Sequence, residues 1–238
     1  MKIRGNPLIN PKMKIAVLFS GGKDSTFALF KAMKEHEVSC LISIISSNPE
    51  SYMFHVPNVH LVKEQAECLG LPLLQFKTKG EKEKELKDLK EAIEKAVKKY
   101  KIEGIVTGAV KSVYQASRIQ KLCDDWGLKC INPLWQMNQL ELLDELIKNK
   151  FKVIISGVFA YPLDETYLGK VIDGQIISKL KILQDKYQLN PSGEGGEIET
   201  TVLDCPIFKK RIEVLDSKIE YKNHAGIFKI NKARLVEK

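Results

Sequence analysis

An apolar segment that runs straight into a glycine turn places the strongest constraint on how this chain folds. The segment is MKIAVLFS at residues 13–20, and it leads into the hexapeptide SGGKDS at residues 20–25. A run that is apolar on both faces is typical of a buried strand in a parallel sheet. A strand, a glycine turn and a helix start in this order direct backbone N–H groups and the positive end of the helix toward an anion. The sequence therefore predicts an α/β fold with an anion site at the end of its first strand.

The first half of the chain continues this alternation of strands and helices. Further strands are predicted at residues 38–47, 71–78 and 104–110. The helices predicted between and after them cover residues 24–35, 57–69, 81–101 and 112–126. This spacing is that of successive βαβ units, which predicts a doubly wound, Rossmann-like parallel sheet with helices on both faces.

The pattern changes near residue 133, where we place a domain boundary. Beyond it the sequence predicts helices at 138–149 and 173–189, a strand at 151–160, a glycine-rich acidic loop at 190–200, and short strands from 201 onward with turns at 222–226. We therefore expect an N-terminal nucleotide-binding domain over residues 1–133 and a smaller α+β domain over residues 134–238.

Composition and charge narrow the class of protein. With 44% hydrophobic and 29% charged residues the chain is globular, and no run of 18 apolar residues predicts a membrane span. The N-terminal segment lacks the apolar core of a secretory signal, and the five cysteines form no CxxC pair. We therefore expect a cytoplasmic protein without disulfides, a cysteine-built metal site or membrane association.

The net charge of +8 lies at the two ends of the chain. Residues 1–14 carry four Lys or Arg and no acid, and residues 209–238 carry nine Lys or Arg against four acids. A basic end could steer an acidic partner, or it could serve only to keep the protein in solution.

The residues of SGGKDS suit a bound phosphate. Gly21 and Gly22 allow close backbone approach, while the hydroxyls of Ser20 and Ser25 can donate to phosphate oxygens. Lys23 supplies a mobile positive charge, and Asp24 can cap the helix or hold Mg²⁺. The segment is not a Walker A loop, because that pattern requires a glycine where Val17 stands and Ser or Thr where Asp24 stands.

Two further groups are candidates for a binding site. Gly108 and Ala109, at the end of the fourth strand, could admit adenosine or could simply allow close packing. On the next helix Tyr114 and Arg118 are i,i+4 neighbours, and Arg118 could hold a phosphate or carboxylate or form a surface ion pair.

The acidic loop is the most unusual local feature of the sequence. Its carboxylates, Glu194, Glu197 and Glu199, lie within six residues that also include Gly196, and Thr200 follows. Like charges this close are costly unless they bind a cation or extend into solvent. His55 is a weaker candidate for contact with a substrate.

The hexapeptide SGGKDS resembles the PP-loop of the ATP pyrophosphatase superfamily, whose members cleave ATP between the α and β phosphates. Three longer stretches, at residues 51–73, 108–128 and 193–208, together with LDETYLGKVID at 163–173, resemble the diphthine–ammonia ligase family. The likeness extends over essentially the whole chain, and EGGEIET at 194–200 is specific to this family.

The resemblance implies an ATP-dependent reaction on a protein substrate. ATP activates the carboxyl group of diphthine, a modified histidine of translation elongation factor 2, and ammonium supplies the nitrogen of the diphthamide amide. It implies ATP and Mg²⁺ at residues 20–25, with Lys23, Asp24 and Ser25 catalytic and Asp24 the metal ligand. It places substrate at Tyr114, Arg118, His55 and the acidic loop. Because diphthine carries a trimethylammonium group, aromatic walls are also expected, with Tyr52, Tyr161, Tyr167 and Trp135 as candidates.

Other functions stay open at this point. A tRNA-modifying PP-loop enzyme would use the basic ends, although paired cysteines are missing and we expect no direct binding of nucleic acid. A small-molecule amide ligase and a nucleotide-binding protein without turnover are further alternatives. A homodimer through Met53–Phe54 or the C-terminal strands is also open.

Overall fold

The computed structural model describes residues 12–46, 57–79 and 84–238, and their first part forms a five-stranded sheet. Its strands are all parallel and are ordered β3-β2-β1-β4-β5. They comprise β1 (Lys14–Leu18), β2 (Glu37–Ser46), β3 (Leu73–Thr78), β4 (Gly104–Val106) and β5 (Lys129–Ile131). The predicted doubly wound α/β fold is confirmed. The sequence did not predict β5, because its three residues are too few to show a hydrophobic period.

Helices cover both faces of this sheet. They are α1 (Lys23–Ala32), α2 (Val62–Leu69) after a 3₁₀ turn at Val59–Leu61, α3 (Lys84–Tyr100) and α4 (Val113–Asp125). Alternate residues of β1 divide between two apolar cores: Ile15 and Val17 pack with α1 and α2, and Ala16 packs with α3 and α4. A strand buried on both faces explains why its sequence is apolar throughout.

The second half of the chain builds an antiparallel sheet in the order β7-β6-β9-β8. Its strands are β6 (Lys152–Val158), β7 (Ile198–Asp204), β8 (Lys210–Lys222) and β9 (Ala225–Glu237), flanked by α5 (Gln139–Lys148) and α6 (Gly174–Tyr187), with a 3₁₀ turn at Glu165–Tyr167. The expected change from parallel α/β to α+β structure is confirmed. The domain boundary near residue 133 lies between β5 and α5 and stays a prediction.

The C-terminal strands are longer than predicted. The sequence analysis expected short strands after residue 201, but β8 and β9 each have 13 residues and form one hairpin. Its turn is Asn223–His224, and both residues have positive φ, as in a type I′ turn. Irregular pairing between Val214 and Ser217 lets the hairpin continue past a break in the alternating pattern.

A shared apolar core joins the two sheets. The ring of Phe27 on α1 packs edge-on against Phe151, which precedes β6, with 5.5 Å between centroids. Four of the five cysteines are buried, and all five are free thiols. Within the described ranges, no helix is long and apolar enough to cross a membrane.

Candidate functional site

A cavity of about 570 Å³ lies at the carboxyl ends of β1 and β4. These neighbouring strands are where the strand order of the sheet reverses, and open α/β sheets bind ligands at such a point. Three segments meet there: the loop at 20–25, the turn at 107–110 that follows β4, and the acidic segment at 193–200. The lining residues predicted from the sequence are Ser20, Gly22, Lys23, Asp24, Ser25, Gly108, Ala109, Glu194, Gly196, Glu199 and Thr200.

The loop at 20–25 folds around its own hydroxyl groups. The Oγ atoms of Ser20 and Ser25 lie 3.2 Å apart, and Ser25 Oγ donates to the carbonyl of Gly22. Gly22 is the residue that caps α1, and it offers no side chain. The sequence allowed Asp24 to cap the helix, but in the structure Asp24 does not have this role. It lies in the first helical turn, where a negative charge interacts favourably with the helix dipole.

Lys23 and Asp24 form an ion pair at the floor of the cavity. Lys23 is only 3% exposed, and its Nζ lies 2.7 Å from Oδ2 of Asp24. The second carboxylate oxygen of Asp24, Oδ1, is buried, and no group in the described ranges forms a hydrogen bond with it. A buried oxygen in this state suits a bound cation, because burial without a partner costs free energy.

Gly108 touches the start of α1 directly. A Cβ at this position would lie 2.7 Å from the backbone nitrogen of Ser25 and 2.8 Å from the carbonyl carbon of Asp24. Gly108 therefore sets the position of the loop as well as lining the cavity, so both interpretations of this glycine have structural support.

We expect Gly108→Ala to lower the free energy of unfolding by about 1–3 kcal/mol, because α1 must shift to accept the methyl group. Gly174→Ala is the matched control, since a Cβ at Gly174 meets no atom within 4 Å. Urea unfolding of both variants provides the measurement. Equal stabilities for the two would show that the contact at Gly108 is easily relieved.

The acidic segment lies directly on the loop. The backbone N–H of Lys23 donates to Oγ1 of Thr200 at 3.1 Å, and the N–H of Val202 donates to the carbonyl of Gly21 at 3.1 Å. Ile198–Thr200, predicted as loop, form the start of β7. The sequence analysis treated the two segments as separate features, whereas the structure brings them into contact at one site.

The three acidic side chains have different surroundings. Glu197 does not line the cavity; its carboxylate accepts hydrogen bonds from Asn190 and from the backbone of Gly195, which hold the segment in shape. Glu194 and Glu199 line the cavity. Burial, and then the nearby charge of Asp24, raises the pKa of Glu194, although a hydrogen bond from the backbone of Lys111 opposes this.

Burial raises the pKa of Glu199 from 4.5 to about 7. The charges that face it are Lys23, which lowers this pKa, and Asp24, which raises it further. Since the folded protein favours the neutral carboxyl, its contribution to stability is complete below pH 4.5 and is lost as the pH rises through about 7.

We therefore expect Glu199→Gln to gain stability relative to the parent protein between pH 4.5 and pH 7, and no further above that range. Urea midpoints at pH 4.5, 6 and 8 measure this. The exposed Glu165→Gln is the control and should keep a constant offset. If the stability difference between Glu199→Gln and the parent protein also does not change with pH, the raised pKa of Glu199 is contradicted.

Some predicted residues lie away from the cavity lining. Tyr114 and Arg118 stack on each other along α4, with Cζ of Arg118 3.5 Å from the ring centroid, and neither lines the cavity. The same is true of Tyr161, Tyr167 and Trp135. The predictions for Tyr52, Met53–Phe54 and His55 fall outside the described residues.

Sequence reasoning missed three polar residues that hold the site together. Gln65 on α2 donates from Nε2 to the carbonyls of Gly21 and Val202, at 2.9 and 2.8 Å. Asn58 bonds to the backbone of β9, and Gln139 on α5 bonds to Asn190 and Ser192 ahead of the acidic segment. All three act across long sequence separations, so no local pattern could have identified them.

Comparison with known proteins gives matches along most of the chain. The family model for the diphthamide synthase N-terminal domain matches residues 13–130, and that for the C-terminal domain matches residues 138–236. The chain is 35% identical over 227 residues to the diphthine–ammonia ligase of Bos taurus and 36% identical over 228 residues to that of Homo sapiens. Each alignment covers 87% of this chain and 85% of the relative.

A third relative is much longer than this chain. The diphthine–ammonia ligase of Schizosaccharomyces pombe is 35% identical over 224 residues, which cover 87% of this chain but only 37% of that protein.

Proposed function

The chain belongs to the diphthamide synthase family, and from this premise we propose that it is an ATP-dependent ligase that converts diphthine to diphthamide. The carboxylate of diphthine would attack the α-phosphorus of ATP and release pyrophosphate, and ammonia would then displace AMP to form the amide. One observation carries the proposal: a single cavity combines an anion-binding loop with two half-buried carboxylates, Glu194 and Glu199. The loop suits the phosphates of ATP, and the carboxylates suit a cationic nitrogen donor.

The two ends of the cavity support a binding mode for ATP. The phosphates would lie against residues 20–25, where the start of α1 and the Lys23 ammonium favour negative charge. Another part of the lining is apolar and suits an adenine ring; it consists of Leu18, Ile42, Ile44, Leu89 and Ile119. Thr107 fixes the turn between them by accepting a hydrogen bond from the N–H of Ala109.

Asp24 is the residue that would hold Mg²⁺. Its unpartnered Oδ1 fits a cation, and in the described part of the chain no group of three His, Cys, Asp or Glu side chains could form a metal site without substrate. A single carboxylate plus phosphate oxygens is a common way for proteins to bind Mg²⁺. When bound, the ion would neutralise charge on the phosphates.

Lys23 would stabilise the departing pyrophosphate. Its ammonium is nearly buried, and at such a site a charge interacts more strongly with a developing anion than in water. Glu194 is our candidate for the ammonium site, because its carboxylate lines the same cavity as the phosphate-binding loop. Ammonium must lose a proton before it can attack, and a carboxylate with a raised pKa is a better proton acceptor than an ordinary one.

We further propose that the substrate is diphthine on translation elongation factor 2, in the cytoplasm, and that the β8–β9 hairpin helps to bind it. Lys218 on β8 lies directly opposite Lys229 on β9, and both are exposed. Like charges in this arrangement repel each other. An ion pair of Lys218 with Glu220 at 3.4 Å offsets part of the repulsion, and an acidic surface on a partner would relieve the rest.

For the double variant Lys218→Glu, Lys229→Glu we expect the KM for the protein substrate to rise several-fold at low salt and its salt dependence to weaken. The matched control is Lys179→Glu, Lys181→Glu, which makes the same charge change on exposed positions of α6. Steady-state kinetics at two salt concentrations provide the measurement. If the two double variants have the same KM and the same salt dependence, the hairpin does not take part in substrate binding.

The proposed function is tested with purified protein, ATP, ammonium and elongation factor 2 carrying diphthine. We expect AMP and pyrophosphate to form in equal amounts, and the diphthine carboxyl to become an amide, as read by mass spectrometry. AMP formation with small carboxylates alone would identify a small-molecule ligase. Binding of ATP with no AMP under any condition would identify a nucleotide-binding protein, and AMP formation that requires tRNA would identify a tRNA-modifying enzyme.

A further inference from the structure

Phe159 and Glu199 lie side by side because Gly157 has no side chain. Gly157 on β6 pairs with Glu199 on β7. A Cβ at Gly157 would lie 2.6 Å from the ring carbon Cε2 of Phe159 and 3.1 Å from Cβ of Glu199. The ring therefore folds back over the glycine and occupies the space beside the glutamate.

The side chain of Phe159 is partly exposed to solvent. It is 38% exposed, it lines the cavity, and it belongs to neither apolar core of the described chain. Its backbone N–H donates to the carbonyl of Glu197 at 2.9 Å, which ties it to the acidic segment. Packing alone does not explain an aromatic ring exposed to a cavity that carries several charges.

The carboxylate of Glu199 lacks hydrogen-bond donors. In the ranges that the structure describes, no group donates a hydrogen bond to it, and the nearby Lys23 ammonium is paired with Asp24. A carboxylate without donors next to an aromatic face suits a cation that has no N–H groups. A quaternary ammonium is such a cation, since it binds through charge and through the ring quadrupole.

We propose that Phe159 and Glu199 form the subsite for the trimethylammonium group of diphthine, an inference that rests on the proposed function. In diphthine this group is attached to the same carbon as the reacting carboxyl. A subsite beside Lys23 and Asp24, in the same cavity, would thus hold the carboxyl next to the α-phosphate. It would also discriminate against carboxylates that lack the trimethylated nitrogen.

The direct test uses trimethylglycine, which carries the same trimethylammonium group beside a carboxylate, and 3,3-dimethylbutanoate, which has the same shape and carboxylate but an uncharged tert-butyl group in place of the trimethylammonium. We expect the parent protein, with ATP bound, to prefer trimethylglycine by about tenfold in calorimetry or ligand-observed NMR. Phe159→Leu should abolish most of this preference, while Phe159→Trp should keep it. The matched control is Trp135→Leu, because Trp135 is 39% exposed but does not line the cavity.

Equal affinities of the parent protein for the two probes, or an unchanged preference in Phe159→Leu, would overturn the subsite. If Phe159→Leu fails to fold, Phe159→Trp still decides the question, since its indole fluorescence must respond to trimethylglycine more than to 3,3-dimethylbutanoate.

Kinetics separate this proposal from the proposed function. If the parent protein amidates diphthine and Phe159→Leu raises the KM for the modified protein about tenfold, both proposals are supported. Amidation with an unchanged KM in Phe159→Leu overturns the subsite alone. Preference for trimethylglycine without any amidation of diphthine overturns the proposed substrate, while the cation site itself remains.

Discussion

Replacing Lys23 by methionine is expected to slow pyrophosphate release by about 10²–10³-fold, which is the usual cost of removing one donor that stabilises a developing anion. Methionine keeps most of the apolar stem of this side chain, which is only 3% exposed, so the fold should persist. The charge that Lys23 places opposite Asp24 is lost, and no other cation is paired with this carboxylate in the described part of the chain. The measurement is continuous detection of pyrophosphate at saturating ATP and ammonium.

Lys98→Met is the matched control for this change. Lys98 also forms an ion pair with a carboxylate, that of Glu94, but on the exposed surface of α3. Such surface pairs contribute little to stability, so activity and unfolding should both stay close to the parent values. A Lys23→Met protein that is folded, as judged by its urea transition, and that retains parent activity would remove this residue from the phosphate chemistry.

The loop at 20–25 could be predicted because its parts are contiguous. The strand, the turn and the helix start follow one another in the sequence, so their relative geometry is set by local rules. The prediction that Gly108 and Ala109 lie nearby also follows from topology, since β4 is parallel to β1 and both strands end at the same edge.

The position of the acidic segment could not be predicted in the same way. Thr200 bonds to the backbone of Lys23 across a separation of 177 residues, and this contact depends on how β7 packs against the first sheet. The sequence also could not show that Glu197 serves the segment itself while Glu199 faces the loop. Both lie in one short acidic motif, but the carboxylate of Glu197 is bonded to Asn190 and Gly195, whereas Glu199 lines the cavity.

The aromatic candidates illustrate the same limit. Tyr161 was a reasonable prediction from residue type, yet Phe159, two residues earlier, lines the cavity and Tyr161 does not. The reason is that Gly157 is the cross-strand partner of Glu199. Because Gly157 has no side chain, the Phe159 ring can turn toward Glu199. Such pairings become visible when the strand register is known.

Gln65 provides the second prediction with a large effect, because it joins the loop to the second sheet. It is 1% exposed, and its amide nitrogen donates to the carbonyls of Gly21 and Val202. Gly21 has a positive φ of 79°, so the loop takes a conformation that requires this glycine and is fixed by the amide above it.

Gln65→Leu is therefore expected to lower the free energy of unfolding by about 1–3 kcal/mol, since it removes a buried donor from the carbonyls of Gly21 and Val202 while keeping the volume. The carbonyl of Gly21 keeps its hydrogen bond from the N–H of Val202. The matched control is Gln120→Leu, which removes an exposed bond to Asp124 within α4 and should change stability by less than about 0.5 kcal/mol. Urea unfolding compares the two.

We also expect ATP affinity to fall in Gln65→Leu and not in Gln120→Leu, because Gln65, unlike Gln120, holds the phosphate loop against β7. A stable Gln65→Leu protein with parent ATP affinity would mean that the contacts of Thr200 and Val202 with the loop are sufficient to position it.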